Sequence, residues 1–183
     1  YTDNSKEFKS ALSKLCPHGH DTSRTYRSQT NGVAERNVRK VKEGTSCALY
    51  QSGLDQVWWG WAMSCFCFLH NVSDMLAEGM TPYCKRYGVD FDGPLIPFGA
   101  HIRYLPSRPD DQARLHAFGP KMLDGIFLGY KQNAGGGWES RTLFVLDLDE
   151  VNNAETVAQI HTRDMHEKEV HLVQVDGKFQ FPA

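Results

Sequence analysis

The sequence predicts an α/β chain in two parts, helices and one strand end in residues 1–92 and a small β-barrel in residues 93–183. Three observations predict it. Val57, Trp58, Trp61, Ala62, Cys65, Phe66 and Leu69 recur at helical spacing, a broad stripe of the kind a buried helix face carries. Past Asp90 this period gives way to short alternating runs, five candidate strands in sequence, which is the pattern of a small barrel. Between the two regimes Gly93-Pro94 and Pro97 punctuate the chain, and the division is drawn there.

The elements follow in order. Tyr1 to Asp3 reads as the tail of a strand with Asp3 at its carboxyl end, and Phe8, Leu12 and Leu15 suit a short helix over Glu7–Leu15. Pro17 to Asn31 is polar and turn-rich, a loop in which Thr25-Tyr26 could form a brief strand. Asn31-Gly32 opens a long helix to about Gln51, with Gly44 inside it costing about 1 kcal/mol relative to alanine. Asp55 caps the helix that bears the apolar stripe, and Thr81-Pro82-Tyr83 opens another that ends at Tyr87-Gly88. Strands are expected at His101–Leu105, Gly125–Tyr130, Leu143–Leu148, Val157–His161 and Val170–Val175. Asn133 to Gly137 supplies a hairpin turn and not a phosphate loop, since neither a Lys-Ser/Thr pair nor a helix follows.

Composition excludes several classes. Hydrophobic residues make up 40% and charged residues 23% of the 183, which is ordinary for a globular domain. The longest apolar stretch, Trp58 to Leu69, is broken by Gly60 and Ser64 and is too short to span a bilayer. Tyr1 opens a polar run without the basic and apolar segments of a secretory leader, as expected of a piece of a longer chain. Five cysteines without framework spacing suit a reducing, nuclear or cytoplasmic setting. The net charge of −2 argues against a simple DNA-coating protein, yet residues 1–50 hold nine Lys and Arg against five acids.

The basic end also carries the most specific words. Thr2-Asp3-Asn4 with Glu7-Phe8, then Gln29-Thr30-Asn31-Gly32-Val33-Ala34-Glu35-Arg36, sets an Asp at a strand end and a Glu at a helix start. Two such carboxylates supply hard oxygen ligands to a divalent cation. The words resemble the catalytic core of copia-type retroelement integrases, and the later Thr81-Pro82-Tyr83, Tyr87-Gly88, Phe98-Gly99 and Gly125-Ile126-Phe127-Leu128-Gly129-Tyr130 follow in the same order as in that family. The resemblance implies the carboxyl-terminal half of a ribonuclease-H-like core in residues 1–92, then an SH3-like barrel module with an acidic tail in 93–183. It assigns Asp3 and Glu35 to the second and third acids of an Asp-Asp-Glu triad that binds Mg²⁺ or Mn²⁺ and joins DNA. The first acid has no counterpart here, so the chain is expected to be inactive alone and to form part of a homo-oligomeric enzyme cut from a polyprotein. Asp3 and Glu35 lie 32 positions apart, a few fewer than is usual for the family, with the shortening in the Pro17–Ser28 loop. That departure keeps open a non-catalytic remnant that binds nucleic acid or protein.

The remaining candidates are weighed against ordinary roles. Arg39 and Lys42 lie at i+4 and i+7 from Glu35, with Arg36 and Lys40 on the flank, so the four cations can meet DNA phosphates or form a solvated charged face. Gln29 and Asn31 either contact DNA or shape the turn before Gly32. Cys16, His18 and His20 lack the fourth ligand of a closed zinc site, and Cys65 and Cys67 point to opposite sides of a helix. Trp58 and Trp61 fall in phase with the core, Trp59 does not, and His161, His166 and His171 read as surface residues.

Overall fold

The computed structural model describes residues 32–182 together with Lys6, Ser10, Ala11 and Lys14, which are helical. The expected strand tail at Tyr1–Asp3 and the Pro17–Asn31 loop lie outside the described residues. Two compact units result, Tyr1–Glu43 and Gly44–Ala183. Helix α1 (Gly32–Ser52) contributes residues to both units, and the second mixes helix and sheet, with helices α2 (Trp59–Ser73), α3 (Pro82–Tyr87), α4 (Pro109–Ala113) and α5 (Leu148–Asn153). Strands β1 (His101–Tyr104), β2 (Leu123–Gln132), β3 (Trp138–Asp147), β4 (Arg163–His166) and β5 (Val170–Leu172) form one antiparallel sheet in the order β4-β3-β2-β1-β5. β6 (Gln174–Val175) and β7 (Lys178–Phe179) make a separate hairpin. The sheet is thus a meander whose fifth strand returns beside the first. Among the described residues no pairing joins β4 to β5, so the barrel expected from the strand count is an open sheet.

Local chemistry sets the helices. α1 runs unbroken through Gly44, where an added Cβ would lie 2.1 Å from the Phe66 ring of α2, so the missing side chain admits that ring. Asp55 accepts from the Val57 N–H at 2.8 Å and starts a 3₁₀ turn over Gln56–Trp58 that leads into α2. This turn shifts the phase of the stripe: Val57 is exposed, while Trp58, Ala62, Cys65, Phe68 and Val72 are buried. Thr81 caps α3 and Gly88, at φ 74°, closes it.

The sheet and α2 share one core. Phe68 stacks on Tyr130 at 4.4 Å, and Phe91, Phe127 and Trp138 surround the same ring. The Tyr130 hydroxyl donates to Pro94 O at 2.7 Å and accepts from the Ile96 N–H at 2.8 Å. The linker after residue 93, where the sequence reading divides the chain, is thereby pinned to the carboxyl-terminal part of β2. Gly99 packs where a Cβ would stand 2.1 Å from that of Ser52 at the end of α1, and its N–H donates to Phe127 O. Residues 44–183 group as one compact unit, within which α2 shares its core with β2 and β3.

Two elements differ from expectation through side-chain bonds. In place of a strand at Val157–His161 there is a 3₁₀ turn, since Gln159 Oε1 accepts from the Glu155 and Thr156 N–H groups. Strand β3 ends at Asp147, whose Oδ1 caps α5 by accepting from the Glu150 N–H at 2.8 Å. Around that cap lies a buried ionic network. Arg163 grips Asp111 of α4 with two bonds of 2.8 and 2.9 Å and Glu150 of α5 with one of 2.7 Å. Asp147 accepts from the Tyr104 hydroxyl at 2.7 Å and from Arg114 at 2.9 Å, and Arg114 also pairs with Asp149. Burial alone would raise the Asp147 and Glu150 carboxyls; hydrogen bonds from Tyr104 and Arg114, and from Arg163 and His161, outweigh it and hold both below their ordinary values. His161 is therefore part of the clamp, and His166 caps the turn before β5, so neither is a bystander.

Two outcomes follow for stability. Tyr130→Phe leaves the Ile96 N–H without its acceptor and should cost about 1–3 kcal/mol, with Tyr130→Ala costing about 3–5 kcal/mol, by urea unfolding followed by tryptophan fluorescence. A Tyr130→Phe protein as stable as the parent would remove the linker pin from the account. Carboxyls held low stabilise the fold above their unfolded pKa, and this stability is lost as pH falls through the folded value. Urea midpoints should accordingly decline from about pH 4.5 downward, less steeply in Asp147→Asn than in the parent. Identical slopes in the two proteins would rule the clamp out as the cause.

Candidate functional site

The described half of the predicted site lies on α1. Ala34, Glu35, Arg36, Arg39, Lys40 and Lys42 are strong helix formers, and Glu35 occupies the first turn, where a carboxylate meets the positive end of the helix dipole. Each residue advances about 1.5 Å and turns about 100°. Arg39 and Lys42 therefore stand about 6 Å and about 10 Å along the axis from Glu35, within about 40° of its direction. The structure brings these three to one shallow hollow, with Ala34, Val38 and Glu43. Arg36 and Lys40 project from the flank, about 100° and about 140° around. All five side chains are exposed.

Charge on this segment is cationic, with Arg36, Arg39, Lys40 and Lys42 against Glu35 and Glu43 from Gly32 to Glu43. Long cations on one exposed face can reach successive phosphates of a nucleic acid, while Glu35 alone gives a divalent ion only part of its oxygen shell. Asp3, Gln29 and Asn31 lie outside the described residues, as do Cys16, His18 and His20. Among the described residues no group of three or more His, Cys, Asp or Glu is arranged to hold a metal. Cys65 is buried in α2 and burial pushes its thiol up, a core residue in chemistry as well as position.

Other predicted residues are placed as follows. Trp58 is buried, and Trp61 meets Phe144 edge-on at 4.9 Å, so both pack as their phase implies. Trp59 is exposed. The sequence reading missed Ala34 and Val38, the apolar members of the hollow, although their places at i−1 and i+3 from Glu35 signal them. No helix among the described residues is long and apolar enough to cross a membrane.

Comparison with known proteins returns no matching family model, no matching curated protein and no matching solved structure.

The cationic face has a direct test. If Arg39 and Lys42 meet phosphates, the double variant Arg39→Ala/Lys42→Ala should weaken binding of a fluorescent DNA duplex and reduce the log–log salt slope by about 2. An unchanged salt slope would make this face merely solvated.

Proposed function

We propose that the chain is the carboxyl-terminal part of a copia-type integrase core followed by an SH3-like module, and that the complete enzyme processes DNA 3′ ends and joins them to target DNA. The observation that carries this reading is that the chain is helical from Gly32 on, directly after the word Gln29-Thr30-Asn31. On that helix Glu35 is followed on the same face by Arg39 and Lys42. Glu35 and Asp3 would hold Mg²⁺ or Mn²⁺, for which their hard oxygens are the suitable ligands. The ion, when bound, supplies Lewis-acid activation of an attacking oxygen and neutralises charge on the leaving one. Arg36, Arg39, Lys40 and Lys42 would hold the phosphates of the DNA end, and Gln29 and Asn31 would hydrogen-bond the DNA.

The sheet supports the SH3-like reading of the second part. A four-stranded meander with its fifth strand beside the first, entered through a 3₁₀ turn at Glu167–Glu169, is the strand order such modules use. Its openness between β4 and β5 leaves two edges able to receive a partner in the assembled enzyme. A non-catalytic remnant that binds DNA or protein is the second reading, favoured by the 32-position separation of Asp3 and Glu35.

Metal binding separates the two. On the catalytic reading, electron paramagnetic resonance of free Mn²⁺ should register weak binding by the 183-residue chain, lost in both Asp3→Asn and Glu35→Gln. A titration that neither substitution alters would sink the catalytic reading. On either reading this chain by itself should give no strand transfer with Mg²⁺ or Mn²⁺, and joined product in a gel assay would contradict the expected need for a third acid.

A further inference from the structure

We propose that the groove at the carboxyl end of α1 is a docking site for an arginine-bearing basic peptide of a partner protein. The groove has a volume of about 760 Å³ and is lined by Leu49, Tyr50, Gly53, Leu54, Gln56 and Trp59. That volume is within the range of about 300–1,000 Å³ typical of binding pockets. Isolated exposed apolar residues are normal on a protein surface, but here two large aromatics open onto one groove. Tyr50 is 93% exposed and Trp59 58%.

Charge selects the occupant. From Gly44 to Cys84 the chain contains no lysine and no arginine, while Asp55 sits exposed between two lining residues. Helix α1 ends at this groove with no basic residue in its last turn, and Gly53, at φ 73°, turns the chain away. The helix end carries a partial negative charge of about half a unit that no cation of its own turn offsets. The Asp55 cap uses one oxygen to accept from Val57, and a carboxylate has further acceptor sites for a charged donor.

A guanidinium fits both properties, being planar, weakly hydrated and able to lie flat on an aromatic face while donating to a carboxylate. Lysine is more strongly hydrated and has no plane to stack. Nucleic acid would bring phosphates toward Asp55 and the negative helix end, an unfavourable approach. The cationic half of the helix, Arg36 to Lys42, and this acidic, aromatic half are thus suited to different partners.

The test uses the full chain and a fluorescein-labelled heptapeptide alternating glycine and arginine, read by anisotropy without DNA or divalent metal. Failure there would leave the integrase reading untouched. The arginine peptide should bind, and its citrulline counterpart, equal in shape but uncharged, should bind at least about tenfold more weakly. Tyr50→Ala and Trp59→Ala should each weaken binding about fivefold with unchanged circular dichroism, because both side chains lie at the surface. Asp176→Asn, in the remote β6–β7 turn, should leave binding unaltered. The proposal is overturned by equal affinity for the citrulline peptide, by insensitivity to both aromatic substitutions, or by equal loss in Asp176→Asn. Tighter binding of oligothymidylate at Trp59, or a dimer abolished by Trp59→Ala, would overturn it too.

Discussion

The structure of the second unit depends on one side chain, Tyr130. A phenol buried in an aromatic core must find partners for its hydroxyl, and it finds them on the backbone of the passing linker. Pro94 O and the Ile96 N–H supply them. Burial raises the Tyr130 phenol far more than the Ile96 N–H lowers it, so the group stays protonated and keeps donating. Because Phe68 of α2 lies on the same ring, the bond that fixes the linker also fixes the helix to the sheet. A segment rich in proline and glycine, which by composition reads as a hinge, is in this way held at its centre.

What was legible in the sequence was local. The carboxyl end of α1, the Asp55 cap, the Thr81 and Gly88 caps of α3 and the Asn133–Gly137 hairpin depend on residues a few positions apart, and all are in place. What was not legible depends on distant partners. Arg163 and Asp111 lie 52 positions apart, and their bidentate bond holds α4, which no period in the sequence announces. The Asp147 cap was visible in principle, as an Asp followed three places on by Glu150, but the apolar run Leu143-Phe144-Val145-Leu146 before it reads as a strand alone. Phe68 was missed and Val57 misplaced because the 3₁₀ turn shifts the helix phase, and no count of intervals contains such a turn.

The words that prompted the integrase comparison divide along the same line. In the second unit they are words of packing. Gly99 lets the chain pass Ser52, Gly125 faces Leu146 O where a Cβ would stand at 2.7 Å, and Ile126, Phe127 and Leu128 are buried. Any fold of this topology needs small and large residues at those places, so these words speak for architecture more than for chemistry. The words of chemistry belong to the first unit, where Glu35 and its cations are described. Half of the candidate site was therefore readable as a helix face, since helical spacing dictates it. Asp3 lies outside the described residues, and pairing it with Glu35 would take a tertiary contact, which no sequence period encodes.

Charge placement along α1 bears on function independently of those words. A helix gains about 0.3–1 kcal/mol for each cation in its last turn, and α1 has none there. Its cations stop at Lys42, in the exposed middle of the helix, where the dipole gives them little. Arg39 and Lys42 instead follow Glu35 at intervals of four and three, which stacks them beside one another at the cost of crowding like charges. Arg39 gains about 0.2–0.5 kcal/mol from Glu35 at i−4, but stability favours neither the Arg39–Lys42 juxtaposition nor the bare helix end. Both become intelligible if the cations are placed for phosphates and the bare carboxyl end, with Tyr50 and Trp59 beside it, is kept clear for a cation that the chain itself does not supply.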